Sequence, residues 1–144
     1  MRFWALAALL ASIEASAWAQ SGPVDIVGIA TRYVAAQEGV MQKGATQRDV
    51  DALIGFYAPD YAYYHPQFGA KVTGLDTVRT GVTSHLGETS DARIEIRGIQ
   101  TNGDMVSLAL RESFVDVATG KRIERERTTV LTIRGGKVVQ RVDI

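Results

Sequence analysis

Residues 92–114, "ARIEIRGIQTNGDMVSLALRESF", decide the fold. Apolar Ala92, Ile94 and Ile96 alternate with charged Arg93, Glu95 and Arg97, the period of a strand buried on one face only. Asn102-Gly103 is a strong hairpin turn signal, and Met105 to Val117 reads as the returning strand. Further along, Thr119-Gly120 marks a second turn and Arg122 to Ile133 another strand. Gly135-Gly136 turns the chain once more into Lys137 to Ile144. The C-terminal half therefore reads as an antiparallel meander.

Toward the N-terminus the period changes. Leu75, Val78, Val82 and Leu86 share one side of a helix expected over Leu75 to Leu86, with Asp76 suiting its first turn. "YAYYHPQFG", Tyr61 to Gly69, begins as a strand, with Tyr61, Tyr63 and His65 on one face and Ala62 and Tyr64 on the other. Pro66 should stop its pairing. A short helix capped by Thr46 carries Val50, Leu53, Ile54 and Tyr57, and Pro59 is expected to end it. A first helix is expected from Val24 to about Glu38, stopped by Gly39. Helices grouped before a curved antiparallel sheet indicate an α+β fold.

Of 144 residues, the first 19 have the layout of a secretory signal peptide. Arg2 precedes an apolar run from Phe3 to Ala11, and Ala17-Trp18-Ala19 supplies a cleavage pattern before Gln20. The run is too short to span a bilayer. A periplasmic or secreted domain over 20–144, with no membrane span after cleavage, is the expectation. The absence of cysteine leaves stability to packing. With 16 basic against 16 acidic residues there is no basic excess for a nucleic-acid partner. Two histidines about twenty residues apart, with no cysteine, give no metal-ligand pattern. A small, largely apolar ligand fits this composition best.

The order of elements resembles the NTF2-like superfamily of cone-shaped α+β barrels, which includes ketosteroid isomerases and SnoaL-like polyketide cyclases. Four stretches carry the resemblance: "TRYVAA", "DVDALIGFYAPDYAYYHPQFG", "GLDTVRTGV" and "GGKVVQRVDI". It implies N-terminal helices packed on a curved sheet, and a homodimer. It also implies a pocket needing no cofactor. The isomerase oxyanion-hole tyrosine falls on Tyr33. The isomerase base, an aspartate before a proline, falls on His65 before Pro66. The second oxyanion acid falls on or near Thr128, where no carboxylate stands. SnoaL-like relatives carry a histidine near the first-strand position and an acid late in the last strand, and His65 and Asp143 match these.

These residue types suit proton abstraction beside a carbonyl. An imidazole titrates near neutral pH and can act as base, while a phenol can donate to the enolate oxygen without ionising. His65, Tyr33 and Asp143 are thus the candidate catalytic residues. Tyr57, Tyr61 and Tyr63 would give the pocket shape. A regular two-residue turn at Gly135-Gly136 would pair Thr132 with Val139, Val130 with Arg141 and Thr128 with Asp143. That would place Thr128, Val130 and Arg141 in the pocket wall beside Asp143. The charged segment 111–127 reads either as ion pairs on an exposed face or as an Arg–Glu pair at the cavity floor. The length of the Thr119-Gly120 loop decides which. The function expected is an isomerase, lyase or cyclase acting on an apolar carbonyl compound. The alternative is a binding or dimerisation domain without catalysis.

Overall fold

A computed structural model describes residues 24–144, so the expected signal peptide lies outside the described residues. Three α-helices pack on one face of a curved, open six-stranded sheet, the expected α+β cone. The helices are α1 (Ile26–Val40), α2 (Gln47–Ile54) and α3 (Leu75–Ser84). The strands are β1 (Tyr57–His65), β2 (Ala70–Thr73), β3 (Thr89–Asn102), β4 (Met105–Asp116), β5 (Arg122–Arg134) and β6 (Lys137–Asp143). Their order across the sheet is β2-β1-β6-β5-β4-β3. The meander β3 to β6 is antiparallel as expected, whereas β1 joins β6 in parallel. Among the described residues no helix is long and apolar enough to cross a membrane.

Local chemistry explains most of the boundaries. Asp25 caps α1 by accepting from the Gly28 N–H at 2.8 Å, and the Asp49 carboxylate accepts from the Thr46 N–H at 2.7 Å to start α2. Gly39 does not stop α1, which runs one residue further to Val40. Pro59 does not end α2 either; it lies inside β1. The pairing of β1 with β6 slips between Tyr57 and Ala62, so the missing proline N–H breaks no ladder bond there. Gly69, at φ +61°, caps a short 3-10 turn (Pro66–Phe68) and reverses the chain into β2.

The core lies between the helices and the inner sheet face. Ala30, Tyr33, Val34 and Val50 meet Val106, Leu108, Leu110, Leu131 and Val138, all essentially buried. Gln42 ties the end of α1 to a break in the β3–β4 ladder. Its amide donates to the Ala92 carbonyl at 2.9 Å and accepts from the Ala92 N–H at 3.3 Å. Backbone groups that the bulge leaves unpaired are thereby satisfied.

One irregularity positions the site. Gly135 and Gly136, both at positive φ, form the expected two-residue turn between Arg134 and Lys137. Ile133 then pairs with Val138 but Thr132 with Gln140, so Val139 is an extra residue. The pairs become Leu131–Arg141, Val130–Val142 and Thr129–Asp143. The expected register, with Val130 opposite Arg141 and Thr128 opposite Asp143, is corrected by this bulge. Because side chains alternate, one inserted residue moves Arg141 and Asp143 to the inner face with Thr129 and Leu131.

Candidate functional site: a buried ion network beneath an open cavity

Arg141 and Asp143 sit two residues apart on β6, so both point inward. The Arg141 guanidinium grips the Asp143 carboxylate through Nε at 3.0 Å and Nη2 at 2.5 Å. Arg127, from β5, donates to the same carboxylate at 3.0 Å, the Thr129 hydroxyl donates at 2.7 Å, and the Tyr63 hydroxyl at 3.3 Å. Burial alone would raise the Asp143 carboxyl. The hydrogen bonds and charge of Arg141, with the Arg127 charge and the Thr129 hydroxyl, outweigh it and hold the group below the ordinary aspartate range.

A second carboxylate, Glu112 on β4, is 1 % exposed. Arg127 Nη2 meets its Oε1 at 2.6 Å and Arg125 Nε meets its Oε2 at 2.6 Å. Arg127 thus bridges Glu112 and Asp143. The same guanidinium donates to the Gln37 carbonyl oxygen at 3.1 Å, which fixes the orientation of that amide. Gln37 must then offer its NH₂, and it donates to the Tyr33 hydroxyl at 2.8 Å. Arg141 Nη1 also donates to Tyr33, at 3.1 Å.

These two donors determine where a proton points. With both acceptor positions of its hydroxyl used, Tyr33 must donate its own proton to the Tyr57 hydroxyl, 3.1 Å away. Tyr57 accepts there, so its own proton turns away from Tyr33, toward the neighbouring Tyr61 hydroxyl and the cavity that both tyrosines line. Burial, with Tyr33 and Tyr61 nearby, pushes the Tyr57 phenol well above its ordinary value. It stays a neutral donor at physiological pH.

The cavity opens between α3 and the inner sheet face, with a volume of about 800 Å³. Its walls include apolar Val40, Met41, Leu53, Val78, Val82 and Phe114. Tyr57, Tyr61, Tyr63, Glu112, Arg127 and Arg141 bring polarity to one side. Arg125, His85 and Glu88 also line it, with His85 Nδ1 2.7 Å from Glu88 Oε2. An apolar pocket with a few convergent polar groups is the ordinary form of a small-molecule site. Among the described residues no cluster of His, Cys, Asp or Glu is arranged to hold a metal ion.

Residues 31–141 match the SnoaL-like domain family. The chain belongs to that family. No curated protein matches it. A protein from Shewanella putrefaciens CN-32, described as a SnoaL-like polyketide cyclase, is 19% identical with a TM-score of 0.68, over 98% of this chain and 92% of its own. A protein of ketosteroid isomerase-like fold from Catenulispora acidiphila, complexed with trimethylamine, is 20% identical with a TM-score of 0.66, over 81% and 83%. An LEH-like epoxide hydrolase from M. tuberculosis is 18% identical with a TM-score of 0.63, over 81% of each chain. Identities this low establish the shared fold and leave the chemistry to the site.

In this SnoaL-like domain the expected residues separate into groups. Tyr57, Tyr61, Tyr63 and Arg141 line the cavity as expected. Tyr33 and Asp143 lie in the hydrogen-bond layer behind the wall, joined through Arg141. Thr128 and Val130 do not line the cavity: the Val139 bulge leaves them on the opposite sheet face, where Thr128 borders a separate shallow depression. His65 shares the strand face of Tyr63 but stands outside the cavity lining, its ring packed 4.5 Å from Phe68. Its buried Nδ1 has no hydrogen-bond partner among the described residues.

Sequence reasoning missed Gln37, and it left Glu112 and Arg127 undecided between the outer and inner faces. The alternation in 122–127 was visible. The loop joining β4 and β5 holds four residues, 117–120, with Asp116 and Lys121 closing it at 2.9 Å. That length turns Arg125 and Arg127 inward beside Glu112.

Proposed function

We propose that the cavity binds a small, largely apolar carbonyl compound and polarises its oxygen with the Tyr57 hydroxyl. The observation that carries this reading is the directed chain from Arg141 and Gln37 through Tyr33 to Tyr57. Each bond orients and strengthens the next, so the last donor faces the ligand already aligned. The part expected of Tyr33 passes in this reading to Tyr57, with Tyr33 as the residue that positions it.

Isomerase, lyase or cyclase chemistry also needs a proton acceptor. Asp143, held below the ordinary aspartate range by its arginines, is a weak base, and both oxygens of Glu112 are occupied by Arg125 and Arg127. His65 is the acceptor in the catalytic form of the proposal. It has an unpartnered Nδ1 and shares an edge-on contact with cavity-lining Tyr63, ring centres 6.2 Å apart. A second reading, binding without turnover, draws on the same pairing of both buried carboxylates and on the place of His65 outside the lining.

Benzylacetone in deuterated buffer separates the two. Catalysis predicts that the protein speeds loss of the ketone's α-proton NMR signals, and that His65→Ala lowers this rate at least about a hundredfold, the low end of a general base's contribution. Exchange no faster than in buffer, with binding intact, leaves the binding reading alone. Export with cleavage before Gln20 belongs to the same proposal, and N-terminal sequencing of protein recovered outside the cytoplasm checks it. Homodimerisation is proposed alongside, with sedimentation equilibrium as its check.

A further inference from the structure

We infer that the ligand of this cavity carries a carboxylate, received by Arg125 at the mouth while Tyr57 holds the carbonyl oxygen further in. The inference rests on the reading of Tyr57 above and adds the class of substrate: an apolar oxo-acid. Glu112 and Arg125 are cross-strand partners. Placing a glutamate at 1 % exposure is costly unless it is fully paired, and this one is held by two arginines. Arg127 uses its terminal nitrogens on Glu112, Asp143 and Gln37. Arg125 uses only Nε, and its two terminal amino groups have no partner among the described residues. Its guanidinium carbon lies 5.3 Å above the Phe114 ring, so the group is fixed on one edge by Glu112 and on one face by Phe114.

What remains is the outer edge of a planar fork, half-exposed at the mouth of an apolar cavity. A carboxylate matches that edge with two parallel bonds. Within the network Arg127 and Arg141 are spent on Glu112, Asp143, Gln37 and Tyr33, so Arg125 is the arginine of the lining with a free edge for a ligand. Glu88, the further acid at the lining, is engaged by His85 and disfavours a more highly charged anion. Tyr57 is almost fully buried and Arg125 half exposed, so the two ends of the ligand lie at different depths.

Calorimetry with two probes of one skeleton tests this: benzylacetone and its para-carboxylate. The intact protein is expected to bind the carboxylate at least about tenfold more tightly, the difference of one charge-assisted contact. Added salt should narrow that ratio. Arg125→Gln should bring it close to one, and Arg125→Lys to an intermediate value. Tyr57→Phe should weaken both probes alike and keep the ratio. A ratio near one in the intact protein, or one that survives Arg125→Gln, overturns the carboxylate inference and leaves the Tyr57 reading standing. Equal binding of both probes by Tyr57→Phe and intact protein removes the Tyr57 reading instead. Should Arg125→Gln fail to fold, the salt dependence of the ratio in the intact protein decides.

Discussion

Replacing Asp143 with alanine is expected to destabilise the protein by about 3–5 kcal/mol, the range seen when one partner of a buried ion pair is removed. Asp143 is the acceptor on which Arg141, Arg127, Thr129 and Tyr63 converge. Without it Arg141 keeps its buried charge with only Tyr33 and a cation–π contact to Tyr63. Urea unfolding of the two proteins measures the loss, and a difference below about 1 kcal/mol, the ordinary value of an exposed pair, would contradict the account.

The same carboxylate sets an acid limit. Its folded-state pKa is depressed, so the unfolded chain binds this proton more readily. The stabilisation is fully present above the unfolded value of about 3.9 and is lost as pH falls below it toward the folded value. Alanine at 143 should therefore lose less stability on acidification than the intact protein does.

Gly81→Trp is expected to separate stability from binding. Gly81 lies inside α3, lines the cavity, and has open space where a Cβ would project. A glycine in mid-helix costs about 0.5–1 kcal/mol relative to alanine, so a larger side chain entering empty space should leave stability unchanged or raise it. The indole would occupy ligand volume, and benzylacetone affinity should fall by tenfold or more, on the order of 1.4 kcal/mol at least. Unfolding and calorimetry on the same sample check both. Undiminished binding would mean that the ligand sits elsewhere.

The larger architecture was legible because its signals are local. Asn102-Gly103 and Gly135-Gly136 carry their own turn geometry, and the alternation from Ala92 to Arg97 carries its own face. Four-residue β2 shows no such pattern, and its place depends on the turn made at Gly69. Pro59 looked like a helix stop because a proline's missing N–H has the same signature in a helix and in a strand bulge. The site was less legible for one reason of register. Val139 is unremarkable as a residue; it is extra only relative to the partner strand. That one residue decides whether Arg141 and Asp143 meet Tyr33 and Tyr63 or stand with Thr128 and Val130. Gln37 had no signal beyond its place one helical turn after Tyr33.

The central claim is that Tyr57, aligned from behind by Tyr33 and Arg141, polarises a carbonyl oxygen bound in the cavity. The infrared carbonyl stretch of isotope-labelled benzylacetone bound to the protein tests it most directly, with Tyr57→Phe as the comparison. The account predicts a stretch shifted to lower frequency than in an apolar solvent in the intact protein, returning to the apolar-solvent position in Tyr57→Phe. A bound ketone whose stretch already matches apolar solvent in the intact protein, or is unmoved by the substitution, would contradict it.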